Sequence, residues 1–257
     1  MRQSVRFTIW SLFVGIVMAG AAYAVTSEEM PVNVAEGKAI YERACIFCHG
    51  VAGKGDGPAA FFSASYSAPR PRDFSQSDFK FKSTPAGELP TDQDLFRVVT
   101  EGVTGYMPSF RGLTESERWN VIAYLKTFNP MFATASPPTI AVGFPKVPYS
   151  QESVTKGRAV YLEQDCQECH GINARGDGEL FREGRLRGSY DLPIQPRDLT
   201  NRSSFKNGTT ARDIFRTIMT GFDGSPMPSH EEEFADHEEN AWHLVNYILS
   251  LSQEPRP

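Results

Sequence analysis

The chain has 257 residues, 40% of them hydrophobic and 12% aromatic, enough for two domains of roughly 100 to 120 residues, each with a core of its own. A formal net charge of −5 excludes a nucleic-acid binder built on a clustered basic face, and any partner recruited by charge should be basic. The four cysteines all fall in two short motifs, which excludes a disulfide-stapled scaffold.

Arg2 and Arg6 open the chain, and residues 7–27 carry no charge and end in Ala19-Gly20-Ala21-Ala22-Tyr23-Ala24. A basic start, an apolar middle and the Ala22-x-Ala24 pattern read as an export signal, yet the uncharged run is also long enough to span a bilayer. Residues 1–27 are therefore expected to be a signal peptide or a retained N-terminal membrane anchor. Both place the rest of the chain in a periplasm or on the outer face of the cytoplasmic membrane. No cysteine lies near this segment, so a lipoprotein anchor is excluded.

After it one unit is written twice, over residues 28–129 and 151–257. Val34-Ala35-Glu36-Gly37-Lys38-Ala39-Ile40-Tyr41 and Val154-Thr155-Lys156-Gly157-Arg158-Ala159-Val160-Tyr161 match in register, and their apolar spacing predicts a helix leading into each cysteine motif. Gly37 and Gly157 are expected where that helix packs closely against another. The motifs are Cys45-Ile46-Phe47-Cys48-His49 and Cys166-Gln167-Glu168-Cys169-His170. Two cysteines two residues apart with a histidine directly after are the attachment signature of c-type haem: the thiols add to the two vinyl groups of one porphyrin, and the histidine ligates its iron. A zinc ribbon would bring a second cysteine pair about 15 to 20 residues later, and a dithiol redox motif does not require the histidine. Four thiols therefore imply two covalently bound haems, at Cys45 and Cys48 and at Cys166 and Cys169.

Glycine-rich turns follow, Gly53-Lys54-Gly55-Asp56-Gly57 and Gly176-Asp177-Gly178; Gly55 after Lys54 rules out a phosphate loop, which needs Ser or Thr there. Next come Pro71-Arg72-Asp73-Phe74 and Pro196-Arg197-Asp198-Leu199, each trailed by a Phe-Lys pair, Phe79-Lys80 and Phe205-Lys206. Arg72 and Arg197 are candidate partners of haem propionates, since a guanidinium grips a carboxylate bidentately and stays charged; solvated turn residues are the alternative. A helix is expected around Asp94–Thr100 and Asp213–Met219. A closing helix is expected after Thr114-x-x-Glu117 and Asp236-x-x-Glu239, both of capping-box form. It carries Trp119 and Tyr124 in the first unit and Trp242 and Tyr247 in the second, read as core aromatics. Between the units, residues 130–150 are proline-rich and predict an extended connector lying across both, which would cover Phe132, Ile140, Val142 and Phe144.

The sixth iron ligand separates electron carriers from oxygen or peroxide chemistry. In the first unit His49 is the one histidine and no cysteine is spare, which leaves methionine. Met107, in Met107-Pro108-Ser109, has a counterpart at a matching place in Met227-Pro228-Ser229, so His49 with Met107 and His170 with Met227 are the expected iron ligands. The second unit also holds His230, His237 and His243, of which His230, three residues past Met227, is the serious rival.

Taken together, the paired Cys-x-x-Cys-His motifs, the later Met-Pro and the closing aromatic helix resemble the class I cytochrome c family in tandem di-haem form. The resemblance implies an all-α fold of two tandem helical domains, each around one covalent haem. The Pro-Arg-Asp, Phe-Lys and Asp-Leu/Ile-Phe-Arg elements look like those of di-haem c subunits of respiratory oxidoreductase complexes. The implied role is single-electron transfer between redox protein partners, as a shuttle or as the haem subunit of a membrane oxidoreductase complex, rather than an enzyme's. The alternative is a di-haem peroxidase-like enzyme with a switchable ligand at the second haem. The run from His230 through Glu231, Glu232 and Glu233 to Glu239 has no acidic counterpart after Met107, and is either a solvated loop or a docking surface for a basic partner.

Overall fold

Asn33 starts the first helix of the computed structural model, which describes residues 32–61 and 70–252, by accepting the Glu36 amide on its side chain at 3.1 Å. Helix α1 (Val34–Ala44) runs from this cap to Cys45, and α2 (Ile46–His49) carries the rest of the first motif. Helix α3 (Asp92–Glu101) opens with a Thr91/Asp94 capping box and α4 (Glu115–Lys126) with a Thr114/Glu117 one. The signal or anchor expected over residues 1–27 lies outside the described residues.

The second half repeats the plan. Helix α5 (Gln151–Glu163) leads into α6 (Cys166–His170), and a short α7 (Glu179–Arg182) stands where the first half has a 3-10 turn, Pro58–Phe61. Helix α8 (Ala211–Thr220) again opens with a capping box, Thr210/Asp213. A four-residue α9 (Glu231–Phe234) precedes α10 (Glu238–Leu251). Here the expected Asp236/Glu239 box is absent. Chain reversal after α9 moves the cap to His237, which makes no side-chain capping bond. The first-turn Glu238 instead accepts the Trp242 indole N–H at 3.0 Å and pairs with Lys146. Among the described residues there is no β-strand, only the isolated bridges Val103 with Met107 and Arg187 with Pro193. Among the described residues the fold is all-α, with two helical halves built on one plan.

In each half the first helix crosses the last at a glycine. A Cβ on Gly37 would sit 1.9 Å from the Asn120 carbonyl oxygen, and one on Gly157 the same distance from that of His243, so no side chain fits between the backbones. Asn120 bridges the first crossing, accepting the Asn33 amide at 2.7 Å and donating to Glu36 at 2.9 Å. Aromatic pairs recur beside the crossing: Tyr41 against Tyr124 and Tyr161 against Tyr247, both with ring centroids 5.4 Å apart at 60°. Phe96 stacks on Trp119 at 4.3 Å and Phe215 on Trp242 at 4.2 Å, tying α3 to α4 and α8 to α10. Each half thus has its own core, one around Ile40, Tyr41, Leu95 and Ile122, the other around Tyr161, Phe215, Trp242 and Val245.

The described residues from Val32 onward nevertheless cluster as one compact unit. Residues 130–150 contribute to both cores: Phe132 packs on the first, Ile140 and Val142 on the second, and the Ile140 amide donates to the Ser83 carbonyl at 2.7 Å. Phe144 is not covered as expected; it is 81% exposed, with the Arg212 guanidinium 5.3 Å from its ring centre. Further contacts join the halves directly. Lys82, fully buried, forms an ion pair with Asp223 and donates to the Pro85 and Glu88 carbonyls at 2.7 Å each. Phe81 meets Phe222 edge-on at 5.6 Å, and Arg97 donates to Asn207 at 3.0 Å.

Candidate haem sites

Both cysteine motifs are folded onto their glycine turns in the same way. The Gly55 amide donates to the His49 carbonyl at 2.9 Å and that of Gly57 to Cys48 at 3.2 Å; Gly176 and Gly178 repeat this to His170 at 2.8 Å and Cys169 at 3.1 Å. A Cβ on Gly57 would meet the Phe47 carbonyl oxygen at 2.5 Å and one on Gly178 the Glu168 carbonyl oxygen at 2.2 Å, which is why glycine stands at both positions. Beneath, the Tyr41 and Tyr161 hydroxyls donate to the carbonyls of Gly50 at 2.6 Å and Gly171 at 2.7 Å. Burial raises the pKa of the Cys45 and Cys166 thiols to about 11, with Cys48 adding to the first and Cys169 to the second, so as free thiols they are neutral at ordinary pH.

The histidine rings are oriented by the Pro-Arg-Asp segments through backbone rather than side chain. His49 Nδ1 lies 3.1 Å from the Arg72 carbonyl oxygen and His170 Nδ1 2.9 Å from that of Arg197. A carbonyl accepts only, so Nδ1 carries the proton and Nε2 keeps its lone pair, the tautomer a metal ligand requires. Burial lowers both imidazole pKa values and favours that neutral form. Phe74 stacks on the His49 ring at 4.5 Å and further restricts it. The two arginine side chains diverge. Arg72 is engaged with Asp78 at 2.5 Å, whereas Arg197 lines the cavity beside His170.

Each Met-Pro-Ser loop is pinned to the helix before it. Ser109 Oγ donates to the Thr100 carbonyl at 2.7 Å and Ser229 Oγ to Met219 at 2.6 Å; the next amides, of Phe110 and His230, donate to Val99 and Ile218 at 3.1 Å each. Met107 packs against the first core, with its amide donating to the Val103 carbonyl and its carbonyl accepting the Val103 amide. Sequence reasoning left the role of the serines unread, although their repetition after each Met-Pro was the available signal.

The second site lies in a partly open cavity of about 360 Å³ whose lining includes Cys166, Cys169, His170 and Met227. Phe205, Ile214, Ile218, Leu244 and Ile248 supply apolar walls, while Lys80, Arg197 and Lys206 bring positive charge. An apolar slot lined by both motif cysteines, His170 and Met227, with cations among its lining, fits an iron porphyrin with anionic propionates. Of the rival histidines, His230 alone lines this cavity; its buried Nδ1 has no hydrogen-bond partner. His243 Nδ1 is taken up by Ser153 Oγ at 2.8 Å, and His237 is the exposed cap of α10.

Comparison with known proteins agrees with this duplicated geometry. Residues 32–125 match the family model of cytochrome c oxidase, cbb3-type, subunit III, and residues 154–252 match that of cytochrome c. No curated protein is significantly similar over the chain. A chain of the reducing HAO-like protein complex of Kuenenia stuttgartiensis is similar at 35% identity with a TM-score of 0.78, over 87% of this chain and 98% of that one. The chain belongs to the cytochrome c family, as a tandem two-domain member with two covalently bound c-type haems and a role in electron transfer.

Proposed function

We propose that the protein is a di-haem electron carrier in which Cys45 and Cys48 attach the first haem and His49 and Met107 ligate it, while Cys166, Cys169, His170 and Met227 do the same for the second. Its domains are taken as residues 28–129 and 151–257 joined by the linker 130–150. The observation that carries the reading is the matched fixing of both sides of each site: an imidazole held by Nδ1 to an Arg72 or Arg197 carbonyl, and a Met-Pro-Ser loop pinned by Ser109 or Ser229. A haem with histidine and methionine ligands exchanges one electron at a raised potential and has no open coordination position. Pro108 and Pro228 stiffen the backbone beside each sulfur, so the chain holds nearly one geometry in both redox states. Near-infrared magnetic circular dichroism of the oxidised protein should show two histidine/methionine signatures; a bis-histidine signature at one haem would reassign it to His230.

The protein acts outside the cytoplasm, in the periplasm or on the outer face of the cytoplasmic membrane, with residues 1–27 as its export signal or anchor. Similarity to a chain of a reducing HAO-like complex supports service as the haem subunit of an oxidoreductase complex rather than as a free shuttle. Glu232 and Glu233 are exposed on α9, beside the second haem site, and suit a basic partner surface there.

One observation favours a second reading. His230 stands in the second cavity with Met227, and its Nδ1 is buried without a partner. On that reading His230 replaces Met227 or serves a ligand at an opened iron, as in a di-haem peroxidase-like enzyme. Measuring peroxide turnover in the wild type and in His230→Ala separates the two: activity lost on substitution supports the enzyme, and none in either supports the carrier.

A further inference from the structure

The Phe-Lys pairs sit at equivalent places in the repeat, and both reach the seam between the halves. Lys80 and Phe81, from the first half, line the cavity of the second haem site together with that half's own Arg197 and Lys206. Phe81 is held there by its edge-on contact with Phe222, and the neighbouring Lys82 is locked by Asp223 and two carbonyls, so Lys80 leaves a fixed backbone. Lys206 crosses the other way, with its ammonium 4.2 Å from the ring centre of Tyr106, the residue before Met107.

Lys80 forms no ion pair among the described residues. Lys80 is repelled by Arg72, and Lys206 by Arg197 and by Lys80. The carboxylate acting on Lys80 is Asp78, which is already engaged by Arg72 and accepts a hydrogen bond from Ser189 Oγ at 3.0 Å. Burial first, and these cations second, lower the ammonium pKa to about 8 for Lys80 and about 7 for Lys206. A largely buried ammonium such as that of Lys80, lining an apolar slot, is stabilised by an anion there, and the propionates of a haem in that slot provide one.

We propose that Lys80 is a potential-setting residue supplied in trans: the first domain donates it to the propionate edge of the second domain's haem, so the second haem site is complete only when the two domains are docked. The inference rests on the cavity being the haem site and not on which side chain is the sixth ligand. A positive charge at the propionate edge favours the reduced, less positive haem and raises its potential. Lys80 acts through the propionates and touches no ligand of the iron, so its removal shifts the second haem's equilibrium while leaving its coordination spectrum unchanged.

The test uses the full-length, haem-loaded protein in an NMR-monitored redox titration, with the methyl resonances of each haem assigned by proximity to residues of its own domain. Lys80→Gln and, in parallel, Lys80→Met should weaken reduction of the second haem roughly tenfold, about 59 mV for one electron. The first haem should move less, and Lys80→Arg should restore the second haem's value. Intact mass reads covalent haem content in every variant, so a failure of the haem reading shows as a missing mass increment rather than as an unshifted potential. An unshifted second haem, a shift of the first haem as large as that of the second, or an equal effect of Lys80→Arg and Lys80→Gln would overturn the proposal.

Discussion

The two haem sites share a frame and differ on one side of it. Behind the cysteines they are nearly superposable in kind: Gly37 and Gly157 at a helix crossing, Tyr41 and Tyr161 bonded to the glycine after the histidine, Trp119 and Trp242 stacked on a phenylalanine. On the methionine side the halves diverge. Phe110 in the first half and His230 in the second make the same amide bond to the preceding helix, but one side chain is apolar and the other is a ligand-capable imidazole with an unpartnered buried nitrogen. The acidic α9 follows only His230. Close backbone contacts tolerate few substitutions, so the frame is held constant, and the halves differ in the loop that follows each Met-Pro.

The sharpest way to break this comparison is to remove each methionine in turn. Met107→Ala should leave the first iron open, because no histidine stands beside it, and the reduced protein should bind carbon monoxide at one haem. Met227→Ala should bind at least tenfold less, because His230 takes the vacant position, and adding His230→Ala should restore binding. Equal binding by the two single variants would remove the distinction between Phe110 and His230.

The independence of the halves is tested at Lys82. Lys82→Met leaves the Asp223 carboxylate without its buried partner and should destabilise the protein by about 3 to 5 kcal/mol in denaturant unfolding. Two separated unfolding transitions in this variant, against one in the wild type, would show that the seam couples the domains. Equivalence of the frames predicts equal costs for Gly37→Ala and Gly157→Ala. Each forces a methyl group onto a backbone carbonyl and should cost at least about 1 to 3 kcal/mol, and a gap between them larger than about 1 kcal/mol would contradict it. The smallest expected effect is that of Tyr41→Phe and Tyr161→Phe. Each removes one of two donors from the Gly50 or Gly171 carbonyl, which keeps the Gly53 amide at 3.3 Å or the Ala174 amide at 2.9 Å, and should cost about 0.5 to 1.5 kcal/mol by thermal or denaturant unfolding.

Much of this was legible from local pattern. The haem motifs, the helix before each, the capping box at Thr114 and the repeated Met-Pro are encoded within a few residues, where spacing and side-chain chemistry act directly; the equally local boxes at Thr91 and Thr210 went unread. What stayed hidden depends on residues distant in the chain. Arg72 and Arg197 were singled out for their guanidinium groups, whereas the bond to each histidine is made by their carbonyls, which every residue type carries. Lys80 and Lys206 repeat visibly, but that Lys80 serves the other half follows only from how the halves dock. The expected cap at Asp236 failed because α9, too short to show a helical period, turns the chain before α10 begins. His230 was visible as a rival ligand, yet the structure alone separates it from His237 and His243, by its place in the cavity lining, the exposure of His237 and the bond of His243 to Ser153.

Carbon monoxide binding to the reduced wild-type protein tests most directly whether both haems are closed for electron transfer. Two methionine-capped irons should leave the reduced spectrum unchanged at neutral pH on exposure to the gas. Prompt stoichiometric binding at one haem would contradict the account, and binding at the second would place substrate chemistry beside His230.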